Sequence, residues 1–118
     1  MDVSLEGLSA APPRHGARLE AHPLPERPGV RVVGEVTLDT RRAWQEALGL
    51  LAQHGGTPPL HVELSEVAFI DVAGVTDLVK AAQSLPEGQC LVVHRPPPQM
   101  ARVLDIFWPG LGRIEVAP

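Results

Sequence analysis

Apolar side chains recur along this chain in two rhythms, one of period two and one of period 3.6. Arg18 to His22 alternates polar and apolar residues and reads as a short edge strand. Pro23, Pro25 and Pro28 fix φ and remove backbone donors, so 23–29 reads as a loop. Val30 to Val36 is rich in β-branched residues and predicts a strand. Trp44, Ala47, Leu48 and Leu51 then fall on one helical stripe, and Asp39 or Thr40 offers an oxygen to cap it. Gly55-Gly56 stops that helix, and Thr57-Pro58-Pro59 makes the turn. Leu60, Val62 and Leu64 alternate with His61 and Glu63, and Val67 to Ile70 carries the apolar run to Asp71. A second helix fits 73–84, with Val75, Leu78, Val79 and Ala82 on one face and Asp77, Lys80 and Gln83 on the other. Pro86-Glu87-Gly88 ends it, and Cys90 to Val93 is a short buried strand. Pro98 suits the first turn of a third helix, whose stripe is Met100, Val103, Leu104 and Phe107. Pro109-Gly110 closes that helix, and Ile114 to Val116 is a last strand.

The order is therefore β-β-α-β-α-β-α-β. Strands separated by single helices predict parallel crossovers, so the fold class is α/β with a mixed, mostly parallel sheet and about three helices. The first two strands have no helix between them, which makes them an antiparallel N-terminal pair. The expected core joins Val32, Val62, Ile70 and Val92 of the sheet to Leu48, Leu78, Val79 and Leu104 of the helices. Phe107 and Trp108 are expected to close that core under Pro109-Gly110 and otherwise to anchor a contact. Residues 1–17, rich in Gly, Pro, Ser and Ala, read as a flexible N-terminal tail, and 18–118 as one domain.

Composition narrows the function. Fourteen acidic against ten basic residues give a net charge of -4, with no positive stripe for nucleic acid. Aromatics make up 3%, too few for a base-stacking platform. No apolar run has signal-peptide or membrane-spanning length, so no membrane insertion is expected. Cys90 is the only cysteine, which excludes an intramolecular disulfide and suits a reducing cytoplasm. Cys90 reads as a small buried hydrophobe. His15, His22, His54, His61 and His94 form no metal-ligand spacing and read as solvated or strand-face residues. No nucleophile elbow, dinucleotide loop or Walker lysine occurs, so neither an enzyme nor a bound cofactor or metal is expected.

The informative segment is the junction Phe69-Ile70-Asp71-Val72-Ala73-Gly74. Asp71 sits where an N-cap belongs, and the helix dipole favours its charge there. Gly74 weakens the helix relative to Ala, which points to close approach of another backbone, from this chain or a partner.

This junction resembles the STAS domain (sulfate transporter and anti-sigma-factor antagonist). In that family a strand reading like D-L-S-x-V-x-F-I-D-S-S-G precedes a helix. Here it is Glu63-Leu64-Ser65-Glu66-Val67-Ala68-Phe69-Ile70-Asp71-Val72-Ala73-Gly74. A second signature, G-E-L-D-x-x-T, is matched in part by Gly34-Glu35-Val36-Thr37-Leu38-Asp39-Thr40, with Thr37 in place of the usual Asp. The resemblance implies a phosphoswitch: the unmodified protein docks an anti-sigma factor with kinase activity, and phosphorylation of the Ser before the motif's Gly ends the binding. The matching position here is Ala73, and its Ser neighbour is replaced by Val72, so neither can accept phosphate. Thr76, one turn on, reads as an ordinary helix residue.

The resemblance implies a STAS-like single domain over 18–118. It implies a non-enzymatic, cytoplasmic interaction module, an anti-sigma-factor antagonist-like regulator. The expected protein partner is an anti-sigma factor with a kinase fold, and the expected partner-binding residues are Asp71, Val72, Ala73, Gly74, Thr76 and Asp77. The alternatives are a STAS scaffold or transporter-associated subunit, and a small-molecule sensor with an apolar pocket between helix and sheet.

Overall fold

A computed structural model describes residues 18–53 and 59–117. The expected tail over 1–17, with His15, lies outside the described residues. So do the expected helix stop at Gly55-Gly56 and the neighbouring His54.

The elements follow in the expected order. Strand β1 (Leu19–Pro23) pairs antiparallel with β2 (Gly29–Val36). A 3-10 turn at Leu38–Thr40 leads into α1 (Arg41–Ala52). Then come β3 (Leu60–Ile70), α2 (Val72–Gln83), β4 (Leu91–His94), α3 (Pro98–Phe107) and β5 (Ile114–Ala117). The sheet order is β1-β2-β3-β4-β5, and β2 to β5 run parallel. Each β–α–β connection steps to the next strand in the same direction, so a common crossover hand puts all three helices on one face. One apolar cluster joins them to the sheet there. Pro23 ends β1 rather than opening the loop, a position an edge strand tolerates because its missing N–H faces no partner.

Strand β3 carries the core register. Its inward residues are Leu60, Val62, Leu64, Val67 and Ile70, so the spacing lengthens from two to three after Leu64 and again after Val67. Pairing with β2 slips at those two places, between Arg31 and Val33 and between Gly34 and Glu35. Each slip is a bulge that inserts one residue and keeps the apolar set on the helical face.

Three expectations need correcting. Leu91 and Val93, not Val92, join the helical core. Val92 is buried on the opposite face, because the register sets Leu91 beside Leu60 and Val92 beside His61. Cys90 to Val93 is apolar at every position, so its pattern carries no phase. In α3, Met100, Val103 and Leu104 turn inward, but Phe107 is 57% exposed and Trp108 packs against the core instead. The stripe continues from Leu104 by four residues, not from Val103 (its edge) by four. Finally, α1 receives no side-chain cap from Asp39 or Thr40. The Thr40 hydroxyl instead donates to the Glu35 carbonyl at 2.6 Å and accepts from the Thr37 N–H at 3.0 Å, which ties the turn to β2.

The sheet face away from the helices is polar. Arg31 pairs with Glu66 at 2.6 Å, and Arg95 approaches Glu63 at 3.4 Å. His61 Nδ1 lies 2.9 Å from His94 Nε2, so one ring must donate to the other. Burial lowers the His61 pKa, with Arg27 and His94 adding to the effect. Burial works against charge on Glu63, but the bonds from Ser65 and the charge of Arg95 outweigh it and leave its pKa lowered.

Two outcomes are expected. Leu78, fully buried, cut to Ala should lose about 2–5 kcal/mol in urea unfolding, and Phe107→Ala less than about 1 kcal/mol. A lowered His pKa means that the unfolded chain takes up protons first. The His61 contribution is therefore complete above 6.5 and lost as pH falls below that value. The thermal midpoint should drop as the pH falls below 6.5, and His61→Gln should flatten that drop. An unchanged slope in the variant would clear His61 of this role.

Candidate functional site

At the end of β3 the chain turns directly into α2. The Asp71 N–H donates to the Val36 carbonyl at 3.1 Å, which extends the β2–β3 ladder by one step. Its extended backbone then lets the side chain reach forward, and Oδ1 accepts from the Gly74 N–H at 2.8 Å. Asp71 is the N-cap, as its place before the helix implied.

Gly74 explains itself by crowding. A Cβ there would lie 2.5 Å from Val36 Cγ1 and 2.9 Å from Ile70 Cγ1. The close approach is to two core side chains of this chain, not to another backbone. The Gly74 carbonyl also accepts from Trp44 Nε1 at 2.9 Å, which satisfies the only polar atom of a fully buried indole. One turn on, Arg41 grips Asp77 with both arms, Nε to Oδ2 at 3.0 Å and Nη2 to Oδ1 at 3.1 Å. Asp77 is 8% exposed and lies in the α1–α2 seam, so its expected place on the polar helix face is corrected. The helical wheel missed this because the partner stands on another helix. The hydrogen bond from Arg41 to Asp77, then the Asp77 charge, raise the Arg41 pKa.

The six residues singled out from the sequence therefore divide. Asp71, Gly74 and Asp77 bond inward. Val72 is 49% exposed, while Ala73 and Thr76 are partly exposed. The Thr76 hydroxyl donates to the Val72 carbonyl at 2.9 Å, an ordinary back-bond within the helix. Phe69, 39% exposed, flanks Val72, and both line an apolar cleft that runs to Val103, with Gln99 and Arg102 at its edge. Leu38, 81% exposed, stands at the same end of the sheet and was not singled out from the sequence. A large apolar residue in a turn just after a strand was the signal available. Among the described residues no group of three or more His, Cys, Asp or Glu is placed to hold a metal.

Gly74→Ala sets two effects against each other. Helix propensity would gain about 1 kcal/mol, while forcing a methyl into the Val36–Ile70 contact costs about 1–3 kcal/mol. The variant should be less stable than the parent in urea unfolding, and a more stable one would show that the contact yields freely.

Residues 22–109 match the family described as "Mlab, STAS domain". Comparison with curated proteins returns no match. Among solved structures, the chain is similar to an anti-sigma factor antagonist from Mycobacterium paratuberculosis, with a TM-score of 0.62 and 22% identity over 84% of this chain and 86% of that one. It is also similar to the anti-sigma factor antagonist SpoIIAA in its unphosphorylated form, with a TM-score of 0.59 and 15% identity over 86% of this chain and 89% of that one. At such identities the likeness is one of fold, and it agrees with the mixed five-stranded sheet and three helices found here. With the family matched over most of its length, the chain belongs to the STAS-domain family.

Proposed function

We propose that this protein is a non-enzymatic interaction module, an anti-sigma-factor antagonist-like regulator that acts in the cytoplasm. It docks a protein partner, an anti-sigma factor with a kinase fold, through the start of α2. Val72, Ala73 and Thr76 make the contact, with Phe69 beside them, while Asp71, Gly74 and Asp77 hold that surface in place. The observation that carries this reading is the exposure of Val72 and Phe69 beside a junction whose polar groups are already bonded internally. An apolar surface with no internal task, on a rigid base, suits a close protein contact. The two similar structures, both anti-sigma factor antagonists, support the same reading. With Ala73 in the acceptor position, docking is not ended by phosphorylation there.

The test is capture of partners from native lysate by the parent and by Ala73→Asp, identified by mass spectrometry. The parent should retain an anti-sigma factor. Ala73→Asp should release it, because a charge enters a tight apolar contact, while the melting curve stays that of a folded domain. A carboxylate at a helix N-terminus is tolerated by the fold. Retention of the same partner by the Asp variant would place docking elsewhere. Incubation of the captured pair with ATP should leave residues 69–76 without phosphate, and stoichiometric phosphate on Thr76 would restore a switch with a displaced acceptor.

A further inference from the structure

The seam between α1 and α2 opens into a groove of about 290 Å³, lined by Gly49, Ala81 and the edges of Leu48 and Leu85, above the fully buried Leu51 and Leu91. Two features set it apart from an ordinary furrow between helices. The first is Gly49, in the middle of α1. Its backbone is not in the left-handed region, and a Cβ built on it would meet nothing within 4 Å. Glycine inside a helix is less stable than alanine by about 0.5–1 kcal/mol, and neither backbone nor packing requires it here. What the missing side chain does is leave the groove open. Gly74 is the contrast, since there the crowding of Val36 and Ile70 leaves no room for a methyl.

The second feature is charge. Lys80, the only lysine of the chain, stands exposed at the rim and makes no ion pair among the described residues. Asp77 is the one acid lining the groove, and Arg41 already holds both of its oxygens. The groove thus combines an aliphatic floor with one uncompensated cation. Gln45 on the opposite rim adds an amide donor.

We propose that this groove binds a small aliphatic carboxylate. Its chain lies over Gly49, Ala81 and the edges of Leu48 and Leu85, and its carboxylate meets the Lys80 ammonium. One cation matches one negative charge, and among the described residues no second basic one lines the groove to balance the further charge of a phosphate group. The volume is at the lower end for small-molecule sites and suits a short chain. Lys80 lies eight residues beyond Val72, about 12 Å along α2, so the inference does not rest on the docking surface.

Octanoate is the probe, titrated into the 15N-labelled protein and followed by NMR, with acetate and octanol as partners in the comparison. Octanoate should give saturable shifts centred on residues 45–51 and 77–85, with octanol and acetate each binding more weakly. Gly49→Leu should melt no lower than the parent, since leucine is the better helix former, yet lose the octanoate response. Lys80→Met should keep the aliphatic stem and weaken octanoate about two- to fivefold, the range of an exposed ion pair, with octanol unaffected. The proposal is overturned if octanoate causes no saturable shift, if Gly49→Leu responds as the parent does, if octanol binds as well as octanoate, or if the shifts centre on the Phe69–Val103 cleft instead.

Discussion

The first turn of α2 lies so close to Val36 and Ile70 that only a hydrogen atom fits at residue 74. The rest of the structure is organised around that contact. It fixes where the helix begins against β2 and β3. The carbonyl of the same residue takes the Trp44 N–H, which brings α1 to the same point. Arg41 and Asp77 repeat the tie one turn later. Two strands and two helices therefore meet around one glycine, and the Asp71 side chain closes the junction by capping the helix. Removing the acceptor of Trp44 or the partner of Asp77 leaves a buried indole N–H or carboxylate that carries its desolvation penalty.

What the sequence disclosed follows the reach of each interaction. The element order was legible because periodicity is local, and the Asp71 cap because its partner lies three residues away. Interactions between distant elements were not. Asp77 reads as a solvent-face residue until Arg41, 36 positions earlier, is brought beside it. His61 and His94 are 33 positions apart and meet only through the β3–β4 register. Val92 was assigned to the wrong face because an unbroken apolar run has no phase of its own. Trp108 closes the core as expected, but Phe107 does not, because it sits at the helix edge where the stripe is least defined. Within the candidate site, Asp71 could be read from its neighbours, whereas the reason for Gly74 could not, because half of its crowding comes from Val36 on another strand. Leu38 shows as a large apolar residue in a turn, but its place at the same end of the sheet depends on how β2 and β3 pair.

The short segment from Asp71 to Asp77 divides by what its side chains do inside the domain. Asp71, Gly74 and Asp77 spend their polar groups inside the domain, whereas Val72 and Ala73 have no polar side-chain group to satisfy. A substitution at 73 therefore acts on the surface before it acts on the fold. Alanine is a favourable residue in the first turn of a helix, and a negative charge there is also tolerated, since the helix dipole favours it. What differs between the two is the cost of covering the site, because a charge beside exposed Val72 and Phe69 must be desolvated by whatever docks against them. Under the proposed reading, Ala73 leaves the docking surface uncharged at that position without any repair elsewhere in the fold.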